Sequence, residues 1–213
     1  MLNIDGIARA ATVNEPFEHF VAQDVLPRVL ADSLLADFPH VTGSGSFAVS
    51  MLKCGPTFQS LVEEIKSPEF AVAIGDHFSC DLTGLSQLIT VRGQSGPKDG
   101  FVHTDSEWKV VTALLYLNPG WQEDSGRLRL LRSADLDDVA VEVPPDWGTL
   151  IVFRRSARSF HGHKLFCGAR RLVQVNWATD AVRVERELHR HQRSSAIKSA
   201  WRKLWPDEAK PLS

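Results

Sequence analysis

The stretch GFVHTDSEWKVVTALLYLNPGWQEDSGRLRLLR, residues 100–132, decides how this chain folds. Its apolar residues fall in strand-sized runs, GFVHT, VVTALLYLN and RLRLLR, broken by Asn, Pro, Gly and Asp and showing no helical period. The same texture extends outward, through LITVR before it and VAVEV, TLIVF, RSFHG and RLVQVNW after it. About eight such segments between Ser86 and Trp177, with almost no helical stretch among them, predict an antiparallel sandwich or barrel.

On either side of this region the period is helical. Val21, Val25, Leu26, Val29, Leu30, Leu34 and Leu35 predict a helix between Phe17 and Phe38. TFQSLVEEIKS and EFAVAIGDHF predict a helix pair divided at Ser67 and Pro68, after a short strand around FAVSML. Beyond Ala178, Val184 with Leu188 and then Ile197, Trp201 and Leu204 fit one or two amphipathic helices stopped by Pro206. The expected organisation is one domain over 1–213: helical support at 1–85, a barrel core at 86–178 and a C-terminal helical extension at 179–213.

A chain of 213 residues, 43% hydrophobic, suffices for one core of ordinary size. A formal net charge of −2 excludes a protein that is basic throughout. The tail is locally basic, with Arg183, Arg186, Arg190, Arg193, Lys198, Arg202 and Lys203 against Glu185 and Glu187. That pattern reads as a solvated helix face, and no nucleic-acid partner is expected. Cys54, Cys80 and Cys167 are scattered and form no CxxC pair, which fits a reducing compartment. The opening residues have neither a basic start nor a continuous apolar segment, and no apolar run reaches the roughly 18 residues of a membrane span. A cytoplasmic protein with no membrane association is expected; the oligomeric state is left open.

Chemistry enters at HTD. Alternate residues of an extended segment face one side, so His103 and Asp105 can aim an imidazole and a carboxylate at one point. A third ligand is available in SFHGHKLFCGARRLVQVNW, residues 159–177. Two His and one carboxylate with open positions form a facial triad suited to iron(II), while three protein ligands and a water also suit catalytic zinc. On the last strand Arg171, Val173, Val175 and Trp177 share one face, and Arg170, Leu172, Gln174 and Asn176 the other. A barrel-lining Arg171 would be a buried cation in need of a carboxylate, which a bound dicarboxylate could supply if the protein does not.

From Leu88 to Trp177 the sequence resembles the prolyl 4-hydroxylase-like branch of the iron(II) and 2-oxoglutarate-dependent oxygenases, with weaker similarity in PFEHFVAQDVLPRVLADSLLADFP. That family carries HxD, a distant His, an Arg or Lys about ten positions later and an aromatic residue six beyond; HTD, His161, Arg171 and Trp177 are the matching residues. The resemblance implies a mainly β fold with flanking helices, a double-stranded β-helix (jelly-roll) barrel. It implies Fe(II) on His103, Asp105 and His161, and 2-oxoglutarate with its distal carboxylate on Arg171, helped by Tyr116 and walled by Leu128 and Trp177. It also implies O2 as oxidant and hydroxylation of an unactivated C–H bond of a small molecule or protein side chain, with release of succinate and carbon dioxide. A barrel that binds metal or ligand without turnover is the alternative.

The chain departs from the pattern at His163, two beyond His161, which is a rival ligand or a residue that meets the substrate. Tyr116 is the only tyrosine, so no second one precedes HxD. Arg170 is expected to be a solvated outer charge. Arg92, Lys98, Arg154, Arg155 and Arg158 read either as a solvated basic rim or as groups that attract an anionic substrate, and Arg92, Arg158 and His163 are the substrate candidates.

Overall fold

The computed structural model describes residues 1–41 and 43–188. Every pairing between its strands is antiparallel, and the strands form two sheets. The larger has the order β1-β7-β4-β9-β3-β2 and the smaller β6-β5-β8. In chain order the strands are β1 (His19–Ala22), β2 (Phe47–Ala48), β3 (Ser86–Ser95), β4 (Lys109–Tyr116), β5 (Leu128–Leu131), β6 (Val139–Val143), β7 (Leu150–Arg154), β8 (His161–Gly162) and β9 (Gly168–Ala178). The helices are α1 (Ile4–Ala8), α2 (Ala31–Ala36), α3 (Pro56–Lys66), α4 (Pro68–Gly75) and α5 (181–188).

Two apolar layers follow from strand parity. Val111, Ala113 and Leu115 of β4, Ile89 and Val91 of β3, Leu150 and Val152 of β7 and Val173, Val175 and Trp177 of β9 turn toward the helices. There they meet Phe58, Leu61, Val62 and Ile65, the buried stripe of α3, with Phe70 and Ile74 of α4. The expected division between these helices holds: Ser67 accepts the Phe70 amide at 3.2 Å and Pro68 opens α4, so one helix stops as the next is capped. On the opposite face of the larger sheet, Leu114, Tyr116, Ile151, Phe153 and Leu172 pack against Leu128, Leu130 and Val143 of the smaller sheet.

Three expectations need correction. The segment Phe17–Phe38 is not one helix: His19–Ala22 is an edge strand paired with β7, and only Ala31–Ala36 is α-helical. Pro27 and the left-handed Asp24, φ 53°, forbid a continuous helix, and sheet pairing overrides the apolar spacing. GFVHT is not a strand but touches the smaller sheet through one bridge, His103 to His161. Of the C-terminal helices, the expected one at Val184 and Leu188 is present, and Ile197, Trp201 and Leu204 lie outside the described residues.

Candidate metal and co-substrate site

That single bridge builds the site. His103 N donates to His161 O at 3.1 Å and His161 N to His103 O at 3.0 Å, which sets the two rings 4.4 Å apart, centroid to centroid. Each Nδ1 meets a backbone carbonyl two residues upstream, Phe101 O at 2.9 Å for His103 and Ser159 O at 3.0 Å for His161. A carbonyl only accepts, so the proton of each neutral ring sits on Nδ1 and the Nε2 lone pair is left for a ligand. Asp105 completes the group: one ligand atom from each of His103, Asp105 and His161 lies within 4.8 Å of the other two.

The electrostatics suit a cation. Burial lowers the His161 pKa to about 4, with Asp105 opposing and His103 and Lys109 adding to the fall, so the ring stays neutral. Burial works to raise the Asp105 carboxyl, but Lys109, His161 and the hydrogen bonds from Lys109 and Thr112 outweigh it and hold the group below the usual carboxylate range. Lys109 Nζ donates to Asp105 Oδ1 at 2.6 Å and Thr112 Oγ1 to Oδ2 at 2.6 Å. Arg155 Nε donates to the Asp105 backbone oxygen at 3.1 Å. Two imidazole nitrogens and one anchored carboxylate are a donor set that fits iron(II).

A cavity of about 340 Å³ opens beside the triad, lined by His103, Asp105, His161, Leu128, Arg170 and Arg92 among others. Its β9 wall is Arg170, Leu172, Gln174 and Asn176. The expected phase of β9 is therefore off by one. Trp177 lies in the helix-side core, stacked on Phe70 with centroids 5.9 Å apart, and does not wall the cavity. Arg171, on the same strand face as Trp177, is outside the cavity lining; its backbone amide donates to Asn118 Oδ1 at 2.6 Å. The wholly apolar run Val173, Val175, Trp177 was the available signal, since an apolar face belongs under the helices and its polar alternate on a cavity.

Arg170, expected outside, is the buried cation. It is 4% exposed, its Nε donates to Gly126 O at 2.7 Å and its Nη2 to the Tyr116 hydroxyl at 3.3 Å, and its guanidinium lies 5.2 Å from the Tyr116 ring centre. Among the described residues no carboxylate pairs with it. Burial pushes the Tyr116 hydroxyl up, against the pull of Arg170 and Arg92, so the phenol keeps its proton.

His163 lines the cavity but does not join the triad cluster; its Nδ1 meets Lys164 O at 2.9 Å. Arg92 and Lys98 also line the cavity, whereas Arg158 is exposed and outside the lining. Arg154 pairs with Glu18 at 3.3 Å. Sequence reasoning missed Lys109, Thr112, Gln174 and Asn176; strand parity with Tyr116 was a signal for Thr112 and parity with Leu172 for Gln174 and Asn176, whereas Lys109 lies beyond a register shift that parity does not reveal.

Residues 93–179 match the sequence model of the 2OG-Fe(II) oxygenase superfamily. Among curated proteins no sequence matches significantly. The fold is similar to that of a Pseudomonas putida prolyl-4-hydroxylase, at 20% identity and TM-score 0.50 over 84% of this chain and 97% of that one. It is also similar to the viral collagen prolyl hydroxylase of Paramecium Bursaria Chlorella virus-1, solved with 2OG, at 13% identity and TM-score 0.53 over 79% of this chain and 99% of that one. Residues 93–179, the stretch that matches the 2OG-Fe(II) oxygenase superfamily model, hold the triad, Tyr116 and Arg170, and members of that superfamily use Fe(II), 2-oxoglutarate and O2.

Proposed function

We propose that the protein is an iron(II)- and 2-oxoglutarate-dependent dioxygenase that hydroxylates an unactivated C–H bond of a small molecule or protein side chain and releases succinate and carbon dioxide. The observation that carries this reading is Arg170, a buried guanidinium without a carboxylate partner among the described residues, facing the cavity that holds the triad. A buried charge in that state is costly, and the distal carboxylate of a bound dicarboxylate removes the cost.

In this reading His103 and His161 hold the metal through Nε2 and Asp105 through one carboxylate oxygen. Arg170 and the Tyr116 hydroxyl hold the co-substrate tail, and Leu128 and Leu172 wall it. When bound, iron and 2-oxoglutarate together supply the oxidising chemistry that reduces O2 and oxidises the C–H bond. Lys109 and Thr112 keep Asp105 ionised and fixed in orientation, and the apolar layer between the sheets keeps water from the tail. We read the two sheets as a double-stranded β-helix within one domain, the His103–His161 bridge adding a strand position to the smaller sheet. The three free cysteines support a cytoplasmic location.

Succinate release from 2-oxoglutarate without a prime substrate tests the assignment. It should require Fe(II) and O2 and be lost in Asp105→Ala and Arg170→Met. Undiminished release in both variants would refute the reading.

A further inference from the structure

Arg92 brings a second guanidinium to the cavity that holds Arg170. It lies on β3 opposite Leu172, and the β3–β9 register slips between Arg92 and Gln94, a bulge that re-aims the strand beside Arg170. Its Nε donates to Ser46 Oγ at 2.9 Å. Its Nη1 reaches Asp99 Oδ1 at only 3.4 Å, while the other Asp99 oxygen accepts the Gly96 amide at 2.9 Å. Asp99 thus serves a turn as well as the arginine. Burial weakens the hold of Arg92 on its proton, Asp99 opposes that, and Arg170 and Tyr116 are both near enough to act on it.

In this cavity the buried Arg170 and the half-buried Arg92 have, among the ion pairs of the described residues, one carboxylate partner between them, Asp99. One negative charge is missing, and its place is between β3 and β9. Beside the triad, Lys109 is already matched to Asp105 at 2.6 Å.

We propose that Arg92 is a second co-substrate-binding residue, which closes on the distal carboxylate of 2-oxoglutarate from the β3 side while Arg170 holds it from β9. This rests on the function proposed above and deepens it: the tail is gripped between two guanidiniums, with the Tyr116 hydroxyl as the neutral third donor. Such a clamp selects a diacid over a 2-oxo acid that lacks the distal carboxylate.

Calorimetric titration of the Mn(II)-loaded full-length protein with 2-oxoglutarate and with 2-oxobutyrate tests this without turnover. Arg92→Met should weaken 2-oxoglutarate about tenfold and leave 2-oxobutyrate unchanged, and Arg92→Lys should lose less. Asp99→Asn breaks the ion pair but keeps the guanidinium, so diacid binding should stay equal or tighten. The proposal is overturned if Arg92→Met weakens both ligands alike, or if Asp99→Asn reproduces its effect, because Arg92 would then only hold the loop. If Arg170→Met abolishes diacid selectivity and Arg92→Met does not alter it, the clamp fails while the oxygenase reading stands. If neither arginine affects selectivity, the co-substrate assignment fails as well.

Discussion

A guanidinium that is 4% exposed and bonded, among the described residues, only to a carbonyl and a phenol oxygen brings an unmatched charge to the cavity. Arg171, one residue on, is half-buried on the other strand face. The consequence is a sharp asymmetry between neighbours. Arg170→Met should weaken 2-oxoglutarate binding by about 30-fold or more, because truncating one member of a desolvated charge pair costs roughly 2–5 kcal/mol. Arg171→Met should change it less than about twofold, as surface substitutions usually do. Equal effects in a titration of the Mn(II)-loaded protein would remove Arg170 from the role. The histidines divide in the same way: His161→Ala should abolish stoichiometric Mn(II) binding and His163→Ala preserve it, since His163 is outside the triad cluster. The ligand types and the need for a buried arginine were legible in the sequence, because HTD and a second histidine name a donor set. Which of two adjacent arginines points inward was not, because a one-residue change of phase alters no composition and reverses every side chain.

At the scale of elements, the ligand-bearing segment Gly100–His103 depends on a backbone that only glycine adopts readily. Gly100 has φ +92°, and a Cβ there would meet His163 O at 2.5 Å and His163 Nδ1 at 2.6 Å. His163 N donates to Gly100 O at 3.0 Å, so the neighbour is itself pinned and cannot retreat. Gly100→Ala should therefore destabilise the protein by about 2–4 kcal/mol, the sum of left-handed strain and overpacking. Gly84→Ala, where a Cβ meets nothing within 4 Å, should be nearly neutral. Urea unfolding of both variants checks the contrast, and a neutral Gly100→Ala would show that the loop adapts. The helix pair and most core strands were legible because their periods run long enough to be distinctive. The edge strand β1 was not: its His19–Ala22 span is too short for a period, and its pairing partner, Leu150–Phe153, lies far along the chain. GFVHT failed because it meets the smaller sheet through a single bridge, and apolar texture does not distinguish one bridge from a ladder.

The whole molecule carries buried neutral histidines that its unfolded chain does not protect. His161 is lowered to about 4 by burial, with Asp105 opposing, and His163 to about 4 by burial and then Arg170, against an ordinary value of 6.5. The native state therefore binds fewer protons than the unfolded chain between these values. The stability from each ring is fully present above pH 6.5 and is lost as pH falls toward 4, at most about 3 kcal/mol per ring for the metal-free protein. Against a total of roughly 5–15 kcal/mol for an ordinary domain, that is a large share. The Asp105 carboxyl works in the same direction further down, since its pKa is lowered in the folded state and its contribution disappears as the carboxylate is protonated. We expect the urea midpoint of the metal-free protein to fall steeply from pH 7.5 to pH 5. His163→Gln, which cannot take up a proton and lies outside the triad cluster, should make that fall shallower. Bound Mn(II) should raise the midpoint, because the metal binds the native triad more tightly than the unfolded chain. A midpoint that is flat across this range, or a His163→Gln profile superimposable on the parent, would mean that the rings take up protons in the folded state as freely as in water.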